Sequence, residues 1–243
     1  MKRIYFLADH GERIPAVDED EMREIDRIAV EEYQLGILQM MENAGRNLAS
    51  HAMEWLDDRT ANITVLAGSG GNGGGGLCCA RHLHNRGYVV DIILTKDPTS
   101  LRGAAKTQMT ILAAAGVVPL DTAQAEQALM STQLIIDAMI GYSLGGPPTG
   151  TIERYIQLTN EAPAPVLSLD LPSGLHATTG DAPGVYVQAD RTLTLALPKT
   201  GLRKFPGSLY LADIGIPPEV FQPLGLDVPP FPSETYIQRL HRP

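Results

Sequence analysis

A glycine run between a strand and a helix constrains the fold of this chain more than any other feature. Seven of the nine residues from Gly68 to Gly76 are glycine. The apolar residues 63–67 before the run predict a short buried strand, and residues 77–85 after it predict a helix that ends at Arg86-Gly87. Glycines at such a junction let backbone N–H groups approach an anion, and the helix dipole favours negative charge there. The run therefore predicts a binding loop for a nucleotide or another phosphate-bearing ligand rather than a flexible linker.

Strand and helix signals alternate along most of the chain. Buried strands are predicted over residues 62–67, 88–95, 117–119, 134–137, 166–169, 191–197 and 208–213. Helices are predicted over residues 19–33, 36–56, 77–86, 101–115, 122–130 and 151–160. Continuous apolar strands that alternate with helices are typical of a mostly parallel sheet covered on both faces. The pattern therefore predicts an α/β fold.

The domain organisation follows from length and composition. No internal segment has the composition of a linker, so the 243 residues are interpreted as a single domain, 1–243. An apolar share of 44% is sufficient for a large core. The proline-rich end after Ile216 predicts an irregular tail, 219–243, that packs on the surface and is less ordered near the terminus.

Charge and composition exclude several classes of partner. A net charge of −9 argues against nucleic acid, because nucleic-acid binding normally needs a basic face. No apolar stretch approaches the length of a membrane span, and the stretch at the N-terminus is too short for a signal peptide. The two cysteines, Cys78 and Cys79, are adjacent and cannot provide a disulfide framework or a structural zinc site. These features predict a cytoplasmic protein without nucleic-acid or membrane partners.

Polar residues follow three of the predicted strands directly. Asn72 lies in the glycine run, Asp137 ends the apolar run 134–136, and Asp170 follows residues 166–169. A single aspartate in such a position caps a turn about as often as it serves a site. In a parallel sheet, however, ligands bind beyond the carboxyl ends of the strands. Two aspartates and an asparagine at one sheet edge therefore predict a binding site.

Motifs of other enzyme classes do not account for the chain. The dinucleotide-binding pattern G-x-G-x-x-G at residues 68–73 carries little weight, because a run this rich in glycine matches it almost unavoidably. No G-K-[ST] follows the run, and Ser173 is not in a G-x-S-x-G context. His82 and His84 are two residues apart on a helix and face different ways, which favours solvated or core-edge roles over metal ligation.

Six motifs of the chain resemble those of a known family. They are Met41-Glu42-Asn43-Ala44-Gly45, the glycine run with residues 77–83, Ile135-Ile136-Asp137-Ala138, Asp170-Leu171-Pro172-Ser173-Gly174, Leu197-Pro198-Lys199 and Asp213-Ile214-Gly215-Ile216-Pro217. Their order and spacing over residues 17–218 resemble the YjeF N-terminal domain of NAD(P)H-hydrate epimerases. The resemblance implies a Rossmann-like three-layer α/β/α sandwich with a mostly parallel central sheet and a homodimer.

The resemblance also implies an activity. Members of this family interconvert the R and S epimers of hydrated NADH and NADPH (NADHX and NADPHX), and a partner dehydratase that accepts one epimer completes the repair. In many bacteria the dehydratase is fused behind the epimerase domain. Because this sequence ends after the first domain, we expect a separate dehydratase.

Site residues are carried over from the family motif by motif. The resemblance implies one potassium ion, K+, per subunit, held by Asn72, Asp137 and Ser173, and oxygen ligands of this kind suit a hard cation. The substrate contacts that it implies are Gly71, Asn72, Gly73, Gly74, Gly75, Gly141, Tyr142, Ser143, Leu144, Gly145, Gly146, Pro147 and Asp170. We expect Asp170 to be the catalytic proton carrier. We expect Lys199 to contact a phosphate or orient an acid.

The glycine run departs from the family pattern at two positions. The family typically reads G-N-N-G-G-D-G, whereas residues 70–76 read G-G-N-G-G-G-G, with Gly71 for the first asparagine and Gly75 for the aspartate. The lost carboxylate favours an alternative, a non-catalytic nucleotide-binding or scaffold relative of the same fold. A third interpretation of the function is a conventional dehydrogenase. The next strand ends in Thr95-Lys96 instead of the acid that would hold a ribose hydroxyl, which argues against it.

Overall fold

Six parallel strands form the larger part of a nine-stranded sheet. The computed structural model describes residues 3–56 and 58–243. Across the sheet the order is β2 (Arg13–Pro15), β1 (Tyr5–Ala8), β9 (Ile237–His241), β8 (Ser208–Ala212), β7 (Arg191–Leu195), β6 (Val166–Leu169), β5 (Leu134–Ala138), β3 (Asn62–Ala67) and β4 (Val89–Leu94). Neighbours from β8 to β4 are parallel, whereas β9, β1 and β2 pair antiparallel. The predicted mostly parallel sheet is confirmed.

Helices cover both faces of this sheet. They are α1 (Glu19–Arg27), α2 (Ile37–Leu56), α3 (Gly71–His84), α4 (Gly103–Ala114), α5 (Thr122–Ser131) and α6 (Thr151–Glu161). One apolar core joins α1, α5 and α6 to Ile135 of β5, and a second joins α2, α3 and α4 to Ile136. Successive strand residues point to opposite faces, so adjacent isoleucines enter different cores. This arrangement is the three-layer α/β/α sandwich that the resemblance implied.

Apart from α3, the predicted helices form close to their expected ends, and the first differs in its last part. Its α-helical part ends at Arg27, and a π-helical turn, Ile28–Glu32, continues it. Asp18 starts this helix with a capping box, in which its side chain accepts from the Glu21 amide at 2.9 Å. No helix within the described ranges is long and apolar enough to cross a membrane.

The strand predicted at residues 117–119 does not form. Leu120 N–H donates to the Ile92 carbonyl at 2.8 Å, but no ladder follows it. Val118 is 67% exposed, and Pro119 has no backbone N–H to donate. The apolar pair 117–118 therefore belongs to a loop beside β4.

The expectation of an irregular tail over residues 219–243 is wrong for its last part. Residues Ile237–His241 form β9, which lies between β8 and β1. Leu240 is 3% exposed and its backbone pairs with Leu209 of β8 and Ala8 of β1. The preceding segment, residues 217–232, is rich in proline. Its composition predicts irregular structure and gives no indication of the short alternating strand that follows.

The glycine run is the start of α3 rather than a loop that precedes it. The helix begins at Gly71, six residues before the predicted start at Leu77. Small residues are required because this helix packs very close to the sheet. A Cβ on Gly73 would lie 1.8 Å from the Gly68 carbonyl oxygen, and a Cβ on Gly76 would lie 2.5 Å from Ala138 Cβ. The glycines thus bring a helix N-terminus to the end of β3.

Candidate active site

A cavity of about 450 Å³ opens at the carboxyl edge of the parallel strands. Its walls come from α1, the first turns of α2 and α3, and the segment after β5. Leu169, Asp170 and Leu195 form part of its lining at the ends of β6 and β7. The strand ends that the sequence singled out therefore meet at one cavity, as expected for a parallel sheet.

The N-terminus of α3 forms one wall of this cavity. Gly70 is its N-cap residue, and no side chain caps the helix there. The first intrahelical bond runs from Gly74 N–H to the Gly70 carbonyl at 3.0 Å, so the earlier N–H groups have no partner within the helix. Apart from the adjoining backbone, no atom of the described chain lies within 4 Å of a Cβ built on Gly70 or Gly71. This end of the helix can accept an anion on its backbone.

The predicted substrate-binding residues divide into two groups. Those that line the cavity are Gly71, Asn72, Gly75, Gly141, Tyr142, Ser143 and Asp170. Those outside the lining are Gly73, Gly74, Leu144, Gly145, Gly146, Pro147 and Lys199. Gly73 and Gly74 are buried, where they pack against Gly68 and Met41. All of these contacts stay predictions.

Asp170 and Lys199 form a buried ion pair at the edge of the cavity. Their side chains are 5% and 1% exposed, and Lys199 Nζ donates to Asp170 Oδ1. Thr194 Oγ1 and Leu195 N–H also donate to this oxygen, each at 3.3 Å. Lys199 Nζ donates in addition to the Leu195 carbonyl at 2.9 Å. Lys199 therefore holds the carboxylate of Asp170 rather than facing the cavity itself.

Sequence reasoning missed a second carboxylate of this cavity. Asp26 on α1 lines it, and Tyr142 Oη donates to Asp26 Oδ2 at 2.5 Å. Burial raises the pKa of Asp26 despite this bond. The position carried a signal, because Asp26 lies four residues after Met22 and one after Ile25, next to the apolar stripe of an amphipathic helix.

Asp137 is outside the cavity lining and is fully buried. Its Oδ1 accepts from Ser173 Oγ at 2.5 Å and from Met139 N–H at 3.2 Å. Its Oδ2 accepts from Ser168 Oγ at 2.7 Å and from Ser173 N–H at 2.9 Å. Burial raises the pKa of Asp137. Within residues 3–56 and 58–243 no cationic side chain lies within 4.0 Å of its carboxylate, so its charge has no ionic partner there.

The side chains predicted to bind a cation surround the segment 139–141. Ser173 Oγ accepts from Ile140 N–H at 2.8 Å, and Asn72 Oδ1 lies 3.4 Å from a Cβ built on Gly141. Asn72 Nδ2 is buried without a hydrogen-bond partner in the described chain. An amide can present its oxygen instead by rotating. A carboxylate without a counter-charge, a hydroxyl and an unpartnered amide fit a hard cation such as potassium.

Both departures from the family loop lie on an ordinary helical backbone. Neither Gly71 nor Gly75 has a positive φ. A Cβ on Gly71 would meet no atom within 4 Å, and one on Gly75 would lie 2.7 Å from the end of the Leu169 side chain. Side chains at these positions are thus compatible with the fold, and the glycines here are not needed for the turn.

Comparison with known proteins gives one family and two relatives that share one name. Residues 37–201 match the family described as YjeF-related protein N-terminus. The chain is 44% identical over 226 residues to the NAD(P)H-hydrate epimerase of Dehalogenimonas lykanthroporepellens, covering 92% of this chain and 91% of that protein. It is 33% identical over 217 residues to the NAD(P)H-hydrate epimerase of Rhodopirellula baltica, covering 86% and 88%.

Two further similarities concern a longer protein and a solved structure. The chain is 38% identical to the bifunctional NAD(P)H-hydrate repair enzyme Nnr of Moorella thermoacetica, over 81% of this chain and 40% of that protein. The crystal structure of yeast ynu0 superposes with a TM-score of 0.83 at 24% identity, covering 92% of this chain and 99% of the yeast chain. The latter similarity shows the fold.

Proposed function

The chain belongs to the family of YjeF-related protein N-termini, and we infer from this premise that it is an NAD(P)H-hydrate epimerase. The observation that carries the inference is the 44% identity over nearly the full length of a protein with that name. The lining of the cavity agrees with it, since a free helix N-terminus and a buried Asp–Lys pair suit an anionic substrate and proton transfer.

We propose that hydrated NADH or NADPH binds with a phosphate at the N-terminus of α3. The N–H groups after Gly70, which have no hydrogen-bond partner within the helix, are the support for this placement. Met40, Met41 and Leu169 supply an apolar surface for the nicotinamide-derived ring. We also propose one domain over residues 1–243, since strands from both ends of the described chain belong to the same sheet.

The proposed reaction is loss and return of water at C6 of the hydrated ring. An acid protonates the C6 hydroxyl group, the C6–O bond breaks and the ring nitrogen lone pair forms the N1–C6 double bond. Water then adds to the opposite face, the electrons return to nitrogen, and a base takes the released proton. We propose Asp170 as a proton-transfer group, held in place by Lys199.

We propose that Asn72, Asp137 and Ser173 hold one potassium ion. The support is the buried carboxylate of Asp137, which lacks a cationic partner in the described chain, and the unpartnered amide of Asn72. A bound cation would supply positive charge beside the segment 139–141 and so fix one wall of the cavity. A homodimer, a cytoplasmic location and a dehydratase that consumes one epimer are further proposals. The two free, buried cysteines suit a reducing compartment.

The activity test starts from a purified R epimer. The protein is added with a dehydratase specific for the S epimer, and recovery of reduced cofactor is followed. Chromatographic separation of the two epimers without the dehydratase measures the reaction directly. We expect conversion well above the rate without protein. No conversion of a hydrate that binds would instead support the non-catalytic alternative.

Isotope labelling tests the chemistry of the proposed step. In water enriched in oxygen-18, loss and return of water should place one labelled oxygen in each molecule that is epimerised. Epimerisation without label would contradict water loss and indicate that the C6–O bond stays intact.

The cation proposal is tested by stability as well as by rate. Potassium should raise the melting temperature of the wild type more than lithium or a bulky organic cation at equal ionic strength. Asp137→Asn should abolish this difference, because it removes the charged ligand. A potassium effect that survives in Asp137→Asn would contradict the site.

A further inference from the structure

Two carboxylates reach the cavity from different elements. Asp170 follows β6 at the sheet edge, whereas Asp26 comes from α1, and within the described residues they are the only carboxylates in the lining. Their partners differ in charge. Asp170 pairs with the ammonium group of Lys199, while Asp26 accepts from the neutral phenol of Tyr142 at 2.5 Å. Two groups of the same type thus have differently charged partners in one cavity.

The surroundings of Asp26 raise its pKa above that of a free aspartate. Burial raises its pKa and the charge of Asp170 adds to the rise, while the bond from Tyr142 and the charge of Lys199 oppose it. The positive charge of Arg23, which lies on α1 with Asp26, lowers the pKa of Tyr142. Burial and the charge of Asp26 raise the pKa of Tyr142 as well, so the phenol stays neutral.

Tyr142 connects the two carboxylates spatially. Its hydroxyl group contacts Asp26, and Lys199 Nζ lies 5.9 Å from the centre of its ring. Lys199 in turn contacts Asp170. Asp26 and Asp170 therefore line the cavity from two different elements, α1 and the end of β6, and are connected through Tyr142 and Lys199.

We propose that Asp26 is a second proton-transfer residue of this cavity, that it serves the face of the hydrated ring opposite to Asp170, and that Tyr142 positions its carboxyl group. The inference rests on the proposed epimerase function. Inversion at C6 by loss and return of water needs a donor on one face and an acceptor on the other. One carboxylate on each of two walls supplies both.

The proton balance assigns a role to each group. In one direction protonated Asp26 gives its proton to the C6 hydroxyl group, the C6–O bond breaks, and the nitrogen lone pair forms the N1–C6 double bond. Water on the other face then forms a new C6–O bond while those electrons return to nitrogen, and it gives a proton to the Asp170 carboxylate. The reverse direction exchanges the roles. Proton exchange with solvent restores the starting state.

The first variant is Asp26→Asn. The asparagine oxygen can still accept from Tyr142, but the amide cannot transfer a proton. We expect kcat to fall about 100- to 10,000-fold, with KM and the affinity for the hydrate within about threefold of wild type. Asp26→Glu should restore part of the rate. Asp20→Asn, an exposed aspartate of the same helix, is the matched control and should keep the wild-type kcat.

The second variant is Tyr142→Phe, which removes the hydrogen bond and keeps the ring. Because that bond lowers the pKa of Asp26, its loss should move the limb of the kcat–pH profile governed by Asp26 to higher pH. A bond that only fastens the loop after β5 to α1 would change the melting temperature and KM instead, without shifting the limb.

The outcomes separate this inference from the proposed function. If the wild type does not epimerise the hydrate, the proposed function is wrong and Asp26 has no reaction to serve. If the wild type is active and Asp26→Asn keeps its kcat, or loses affinity in place of kcat, the inference is wrong. Loss of kcat alone, with the shifted limb in Tyr142→Phe, supports it.

Discussion

At the scale of the residue, Asp170 adopts a backbone conformation that is unfavourable for an aspartate. Its φ of +68° lies in the left-handed region, where a residue other than glycine costs about 1–3 kcal/mol. Contacts with Lys199, Thr194 and Leu195 fix it there. Glycine would adopt this conformation more easily, but it would leave the buried ammonium of Lys199 without a carboxylate.

Asp170→Asn should therefore reduce both activity and stability. We expect epimerisation to fall about 100- to 10,000-fold, since the amide cannot exchange a proton. The melting temperature should fall as well, because Lys199 stays buried without an anionic partner. The matched control is Asp181→Asn, whose Asp181–Lys204 pair is exposed and should contribute little. Wild-type turnover in Asp170→Asn would remove Asp170 from the proposed reaction.

Two glycines of one helix turn should respond oppositely to alanine. Gly73→Ala would bring a Cβ to 1.8 Å from a backbone oxygen, so we expect a loss of several kcal/mol, as in other overpacked sites. Gly71→Ala meets no atom within 4 Å and should be neutral or stabilise by up to about 1 kcal/mol, since alanine favours helix. Denaturant unfolding measures both values. Equal effects would contradict the close packing of α3.

At the scale of the element, α2 and α3 form a close pair of helices. A Cβ on Gly45 would lie 2.5 Å from Cys78 Sγ, so the two backbones approach closely. Glu42 connects them further by accepting from Arg81 and lying 2.8 Å from His82 Nε2. The expected core-edge role of His82 agrees with this contact. Arg81 supplies the positive charge that pairs with Glu42. The cluster of Glu42, Arg81 and His82 therefore connects α2 to α3.

Helix α2 carries a buried histidine, His51, that makes stability depend on pH. Burial and the charge of Arg191 lower the pKa of His51 to about 4. Its ring lies 4.3 Å from that of Tyr210, and Nε2 has no hydrogen-bond partner within the described residues. The neutral form is therefore the one that fits between α2 and β8.

We expect the contribution of His51 to stability to be complete above a pH of about 6.5 and to be lost as the pH falls towards 4. The unfolded chain binds a proton at His51 more readily than the folded one in this window. The difference corresponds to at most about 3 kcal/mol. His51→Phe should flatten the dependence of the unfolding free energy on pH, whereas His10→Gln, at an exposed histidine, should not. A slope unchanged in His51→Phe would contradict this assignment.

At the scale of the whole molecule, the two ends of the chain complete the sheet. β9 contributes backbone bonds to both β8 and β1, and among the described residues β2 pairs only with β1. The parallel core therefore continues into an antiparallel edge made from residues far apart in sequence. The cavity lies at the carboxyl ends of the parallel strands, with Leu195 of β7 and Ile214 after β8 in its lining.

Leu240→Ala should destabilise the entire fold. Leu240 is 3% exposed within the core, and removal of such a side chain typically costs about 2–5 kcal/mol. Arg239→Ala, at the exposed neighbouring position of the same strand, is the control and should change little. Equilibrium unfolding and limited proteolysis report the effect. Similar stability of the two variants would mean that β9 is not part of the core.

The sequence by itself determined the order of the six helices and the six parallel strands, and the edge of the sheet that carries the site. Apolar runs that end in Asp137 and Asp170, and a glycine run after residues 63–67, are local patterns, and local patterns specify where strands stop. The six motifs added the family and its activity. None of this required knowledge of which faces pack together.

Only the tertiary structure decided how distant segments meet. Asp26 and Tyr142 are 116 positions apart, and nothing local shows that α1 crosses the cavity beside the segment after β5. The place of β9 between β8 and β1 depends likewise on long-range backbone pairing, which a short alternating segment cannot specify. The early start of α3 likewise depends on tertiary packing. Glycine has a low helix propensity, but only glycine fits where α3 packs this close to the sheet.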